Sequence, residues 1–216
     1  MIVKIIEPAS NTYLTGTGTV EIEVQDNESG IDKVDLWVGT NSDWTLGTDT
    51  SPGVFGTRTG NLVTTKYTDG SYNLYGVAID QAGNIATSTL PYPITIDNTK
   101  PATPTLVSVT NPALSGRLNL SWTQGTDTNL AGYKVHIGSQ SGSYTQTQDT
   151  GSTATSYQLT GLTNGTTYYI AISAYDKAGN ESTKSNELFG TSTGTLAKIR
   201  IENQRHHLLH CYLCLR

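Results

Sequence analysis

The pentapeptide Asp-x-Ala-Gly-Asn occurs twice, at 80–84 and 176–180, and each copy closes a segment of alternating apolar residues. Before the second copy, Tyr168, Ile170, Ile172 and Ala174 fall on every other position, with Tyr169, Ala171 and Ser173 between them. A period of two gives an extended strand one apolar face and one mixed face. Tyr72, Leu74 and Ala78 repeat the pattern before the first copy. Within each turn, the Asp carboxylate can accept backbone N–H groups and the Gly can adopt the positive φ that reverses the chain. The two turns stand 96 positions apart, about the length of one small antiparallel sandwich. The repeat predicts two such units in tandem and names no ligand.

A chain of 216 residues fits one large domain or two small ones. Each half is long enough to bury its own core without a disulfide. With 2 Phe, 1 Met and 14% charged residues amid abundant Thr, Ser, Gly and Asn, the composition suits short strands and many turns. The net charge of −5 speaks against a nucleic-acid partner, because phosphate binding needs a basic face. No apolar run approaches the length of a membrane span. Met1 leads directly into the strand-like Ile2–Ile6, which leaves no room for a secretory signal. The choice is between a cytoplasmic chain and an excerpt of a longer exported one, and the excerpt is the reading adopted.

In chain order, Ile2–Ile6 is a first strand, ended by Pro8-Ala-Ser-Asn11. Val20, Ile22 and Val24 alternate with Glu21, Glu23 and Gln25 as a half-buried second strand, and Val34, Leu36 and Val38 form a third, with Asp35 and Trp37 opposite. Gly39 to Asn61 reads as a polar, glycine-rich passage carrying Trp44 and Phe55, and a last strand ends near Ile96. The stretch Asp97-Asn-Thr-Lys-Pro-Ala-Thr-Pro104 reads as a semi-rigid linker with little apolar surface. Leu118, Leu120 and Trp122, then Tyr133, Val135 and Ile137, mark two strands of the second unit.

Several of these stretches resemble known families. Pro8-Ala-Ser-Asn11, Thr15-Gly-Thr-Gly-Thr-Val-Glu-Ile-Glu-Val-Gln-Asp26, Ser29-Gly-Ile-Asp-Lys-Val-Asp-Leu-Trp-Val-Gly39, Thr50-Ser-Pro-Gly-Val-Phe55, Asp69-Gly-Ser-Tyr-Asn-Leu74 and Ala78-Ile-Asp-Gln-Ala-Gly-Asn84 resemble bacterial immunoglobulin-like domains over residues 2–98. From Pro104 the chain resembles a fibronectin type III domain, over about 101–193. There Leu162-Thr-Asn-Gly-Thr-Thr-Tyr168 stands for the L-x-P-G-T-x-Y signature, with Asn164 in place of proline. That resemblance implies a tyrosine corner, in which the Tyr168 hydroxyl bonds to backbone near Leu162–Gly165, and a turn loosened by Asn164.

The expected fold is all-β: two tandem immunoglobulin-like β-sandwiches, at 1–98 and 105–194, with a linker at 99–104. Residues 195–216 form an atypical tail. Leu196–Arg216 contains no Gly, Ser, Thr or Asp, and it carries four cations against Glu202. A disordered or foreign C-terminus accounts for that break.

Candidate chemistry is sparse. His206, His210 and Cys211-x-x-Cys214 have zinc-like spacing, but so short a tail offers little fold for a structural metal to organise. His136 is the one histidine outside the tail, and it alternates out of phase with Val135 and Ile137, which predicts a solvent-facing residue with no nucleophile beside it. Trp37, Trp44, Tyr13 and Tyr75 could stack on sugar faces, while Trp44 and Phe55 could equally pin the polar passage to its sandwich. Asp97 and Asn98 of the linker, with Asp127 and Asp176, could bring hard oxygen ligands for calcium to the junction; turn chemistry explains Asp176, and Asp26 and Asp80 in the first unit, without an ion. Four sequons, beginning at Asn27, Asn119, Asn164 and Asn180, read as accidents of a Ser/Thr-rich chain.

Together these readings predict no catalytic, cofactor or metal site and no enzyme activity. The family resemblance implies spacer or interaction modules of a larger secreted or cell-surface protein, acting in adhesion, presentation or spacing. The partner expected is a protein or glycan at the cell surface, and the chain itself is expected to be monomeric. The competing reading is a carbohydrate-binding accessory of an extracellular hydrolase.

Overall fold

The computed structural model describes residues 1–39, 41–47 (backbone course alone), 56–88 and 91–194. Among the described residues the elements are strands, apart from one 3-10 turn at Thr64–Lys66. The first sandwich pairs β1 (Ile2–Glu7), β3 (Thr17–Gln25) and β6 (Gly56–Val63) in one sheet. Its second sheet runs β2 (Thr12–Leu14), β9 (Tyr92–Ile96), β7 (Gly70–Asp80), β4 (Ile31–Val38) and β5 (Asn41–Gly47), with β8 (Ile85–Thr87) also on β7. Val20, Ile22 and Val24 from one sheet meet Val34, Leu36, Leu74 and Ala78 from the other, all within 2% of full burial. The two-residue period thus delivers the core that the sequence predicts. Gly76 lies in the same row because a Cβ there would sit 2.8 Å from Val3 Cγ1. The Val3 and Ile22 side chains of the facing sheet fill the space that a side chain at 76 would need.

The polar passage after Gly39 is not a loop throughout. Its backbone makes β5 against β4 and then β6 against β3, so the chain crosses from one sheet to the other within it. Periodicity missed β6 because, among its residues, Leu62 is the one in the core; Thr57, Thr59 and Asn61 lie along an exposed or half-buried course paired to β3 by ladder hydrogen bonds. Phe55 and the side chain of Trp44 lie outside the described residues.

The second sandwich sets β10 (Thr105–Thr110), β11 (Leu118–Thr123) and β14 (Ser156–Leu159) against β13 (Gln146–Asp149), β12 (Leu130–Gly138), β15 (Thr167–Asp176) and β16 (Leu188–Thr191). Its core is separate from the first and contains Trp122, Tyr133, Val135, Ile137, Ile170 and Ile172, with Trp122 edge-on to Tyr133 at 5.2 Å. Tyr168 is half-buried against this core, and its hydroxyl accepts the Thr163 amide at 2.9 Å. Asn164 does not loosen the turn. Its Oδ1 accepts the Gly116 amide at 2.9 Å and its Nδ2 donates to Ser115 Oγ at 2.7 Å, so a carboxamide ties two loops together where proline would have no donor or acceptor side chain. The linker is less apolar-free than its sequence suggests, because Pro101 and Pro104 are both buried.

Candidate functional site: a hydrogen-bonded junction

The two pentapeptides fold bond for bond alike. In each, the Asp amide donates to the Asn carbonyl and the Gly amide returns to the Asp carbonyl. Gly83 and Gly179 have φ of 86° and 93°, a region that a Cβ disfavours. The Asn then reaches back to the Asp carboxylate through both its backbone N–H and its Nδ2. Those distances are 2.7 and 2.7 Å for Asn84 on Asp80, and 2.9 and 2.8 Å for Asn180 on Asp176. The following residue, Gln81 or Lys177, donates to the carbonyl of Gly30 or Asn129 across the sheet. Hydrogen bonds from Asn84, joined by the Ser29 hydroxyl, hold the Asp80 carboxyl down at about 2. For Asp26, burial pulls its carboxyl upward, but the Ser29, Gly30 and Glu28 amides outweigh it and lower it.

The second copy does one thing more. Asn180 Nδ2 also donates to the carbonyl oxygen of Asp97, at 2.8 Å, and its Oδ1 accepts the Thr15 hydroxyl at 2.6 Å. Both partners belong to the first sandwich: Thr15 follows β2, and Asp97 follows β9, its amide donating to Leu14 O. Asp97 Oδ2 accepts Asn129 Nδ2 at 2.9 Å, and Lys177 Nζ lies 5.3 Å from the centroid of the Tyr13 ring. Asn180, Asp97 and Asp176 are all buried. A carboxamide, with one acceptor and two donor hydrogens, can serve its own turn and a neighbouring domain at once. This double use of Asn180 is the part of the site that the sequence reading missed. The exact repeat of the pentapeptide pointed to a turn, and nothing in it distinguishes the copy that also holds a neighbour.

Each acidic residue weighed as a calcium ligand accepts an amide. Asp176 binds Asn180, and Asp97 accepts Asn129 Nδ2; Asp127 accepts the Asn129 amide at 2.6 Å. Asn98 turns back to its own sandwich, donating to Asp69 and accepting from Thr64. No group of three or more His, Cys, Asp or Glu that could hold a metal ion occurs among the described residues. The His206, His210, Cys211 and Cys214 set lies outside them.

His136 is 7% exposed, contrary to its expected solvent-facing position. It does lie on the outer sheet face, but Tyr144, Thr147 and Glu181 cover it. Burial lowers its pKa, the Lys184 and Lys134 charges act in the same direction, and Glu181 opposes them. Its Nε2 is 2.8 Å from Ser173 Oγ, which donates to Glu181 Oε1 at 2.6 Å. A serine, a histidine and a carboxylate therefore meet, a pairing that the sequence did not reveal. Ser173 is fully buried, so its hydroxyl is shut off from solvent, and His136 Nδ1 is held by the Thr147 hydroxyl at 3.3 Å and not by a carboxylate. The cluster braces the sheet face.

Of the proposed sugar platform, Trp37 and Tyr75 stand opposite each other on β4 and β7, both half-buried, while Tyr13 lies at the junction beside Lys177. The ladder register puts all three on the outer face of the same sheet, with Tyr13 at its junction end, level with Ser71 and four residues along β7 from Tyr75. Among the described residues no helix is long and apolar enough to cross a membrane.

Comparison with known proteins agrees with this geometry. Residues 2–75 match the model of the bacterial Ig domain, and residues 102–191 match that of the fibronectin type III domain. Exoglucanase B of Cellulomonas fimi is 31% identical over 170 residues, 69% of this chain and 15% of that protein. Amylopullulanase of Thermoanaerobacterium thermosulfurigenes is 36% identical over 91 residues, 42% of this chain and 5% of that protein. The chain thus spans a small part of the curated relatives it matches. The crystal structure of chicken CNTN1 FN1-FN3 domains has the same fold over 86% of this chain and 62% of its own, with a TM-score of 0.60 and 18% identity. Residues 2–75 thus form a bacterial Ig domain and residues 102–191 a fibronectin type III domain, one after the other in the chain.

Proposed function

We propose that the chain is a non-catalytic spacer that holds other parts of a longer extracellular protein at a set separation and orientation. The observation that carries this reading is the buried Asn180 carboxamide, bonded at once to its own Asp176 and to Asp97 and Thr15 of the neighbouring sandwich. A linker free to swivel would leave those groups to water; here one side chain fixes the exit of the first sandwich against a loop of the second. The relatives' names add the setting. Exoglucanase B and amylopullulanase are named as carbohydrate-active enzymes, and the matched segment is a minor part of each. In this chain the corresponding role is to space a carbohydrate-active catalytic domain from whatever anchors it.

The test combines Asn180→Ala with replacement of residues 97–100 by a Gly-Ser linker of equal length in the longer protein. Activity on a soluble polysaccharide should be unchanged and activity on an insoluble one should fall, because only the second requires fixed geometry. Equal activity on both substrates before and after replacement would refute the spacer role. A second reading, direct glycan binding, draws on the same relatives and on the Trp37–Tyr75 pair. Affinity electrophoresis of the chain in cellulose-derived and starch gels, with Trp37→Ala as control, separates it from spacing.

A further inference from the structure

We infer that the Asp80–Asn84 end of the first sandwich is a docking surface for another β-sandwich, lying N-terminal to it in the longer chain. This rests on the spacer reading and extends it by one domain. The clasps at 80–84 and 176–180 share their internal hydrogen bonds, yet their surroundings differ. Asn180 is buried beneath Asp97 and Thr15, whereas Asn84 is exposed and, among the described residues, bonds only to Asp80. Its carboxamide oxygen and second Nδ2 hydrogen are open at the positions where Asn180 holds the preceding domain.

The surface around Asn84 fits the same use. Met1 and Ile2 line one cup with Asp26, Asp80, Asn84 and Ile85, so the chain enters the first sandwich beside its clasp, just as the linker enters the second beside Asn180. The rim is mixed, with Gln25, Asn27 and Glu28 on it, but it carries two exposed isoleucines that the second sandwich lacks beside its clasp. Ile2 and Ile85 are 63% and 67% exposed, while the residue following Asn180 is Glu181, tied to Lys134 and Ser173. Exposed isoleucines beside unfilled amide positions mark a surface suited to being covered. The occupant is the end of a sandwich that offers a backbone carbonyl to Asn84 Nδ2, a hydroxyl to its Oδ1 and an apolar side chain over Ile2 and Ile85. One contact has no counterpart: Gly30 stands where Asn129 binds Asp97, so the bond to the incoming carboxylate is lost and apolar contact takes its place.

Hydroxyl-radical footprinting read by mass spectrometry tests this on the full-length gene product and on the 216-residue chain. In the longer protein, oxidation of Ile2 and Ile85 should fall severalfold, and Asn84→Ala should restore part of it at Ile2. Equal oxidation in the two proteins overturns the inference, as does a full-length product in which no sandwich precedes residue 1. Protection already present in the 216-residue chain, together with a doubled mass by light scattering, assigns the surface to a second copy and also overturns it. None of these results bears on the contacts of Asn180, so the spacer reading stands or falls separately.

Discussion

Replacing Asn180 with alanine should loosen the junction while leaving both sandwiches folded. The truncation removes three side-chain bonds: Nδ2 to Asp176 Oδ2 at 2.8 Å, Nδ2 to Asp97 O at 2.8 Å, and the Thr15 hydroxyl to Oδ1 at 2.6 Å. The Asn180 backbone amide still caps Asp176 at 2.9 Å, so the turn survives. A neutral bond contributes about 0.5–1.5 kcal/mol net and one to a carboxylate about 1.5–3. The expected loss is therefore about 2.5–6 kcal/mol, of which about 1–3 belongs to the two bonds that cross between domains. Thr15→Val isolates one of them and should cost about 0.5–1.5 kcal/mol. Asn84→Ala serves as control, since it removes the corresponding clasp bond without a junction. Calorimetry should show the second sandwich melting earlier in Asn180→Ala, and small-angle scattering should show a broader distribution of interdomain distances. If Asn180→Ala scatters as the parent does, or loses no more stability than Asn84→Ala, the junction is not held by this carboxamide.

Further outcomes follow from particular contacts. Tyr168→Phe leaves the Thr163 amide without its acceptor at a half-exposed site, and the denaturant midpoint should report a loss of about 1 kcal/mol, the lower end for an unmet donor. His136 has a folded pKa below its unfolded value of about 6.5, so acidification protonates the unfolded chain first. Stability should accordingly fall as pH drops below about 6.5, and thermal melts of His136→Gln should have a shallower slope there. Deleting residues 196–216 should leave both melting transitions in place, because the two cores lie within residues 3–188; stoichiometric zinc lost on that deletion would instead give the tail a fold of its own.

The sequence made the sandwich cores legible because each strand face announces itself at a period of two, as Val20, Ile22 and Val24 do. It was least legible where backbone or amide chemistry replaces apolar pattern. Strand β6 carries one core side chain and is held by its ladder, so no periodicity marks it. Asn164 was read against a proline signature and expected to weaken the turn, yet its carboxamide finds Gly116 and Ser115 some fifty residues earlier. His136 alternates outward as expected, but a second layer formed by Tyr144, Thr147 and Glu181 buries it. The junction failed to register for a related reason. Identical pentapeptides make identical turns, and only the packing partner, Asp97 with Thr15, tells the latch from the open clasp.

The most direct test of the central claim is ¹⁵N relaxation on the unmodified chain, with tumbling times taken separately for residues of the two sandwiches. A junction fixed by Asn180, Asp97 and Asn129 predicts a single overall tumbling time close to that of a rigid two-domain body, with one common diffusion axis. Two shorter and unequal times, each suited to an isolated sandwich of about 100 residues, would mean that the domains swivel freely and that the chain sets a distance but no orientation.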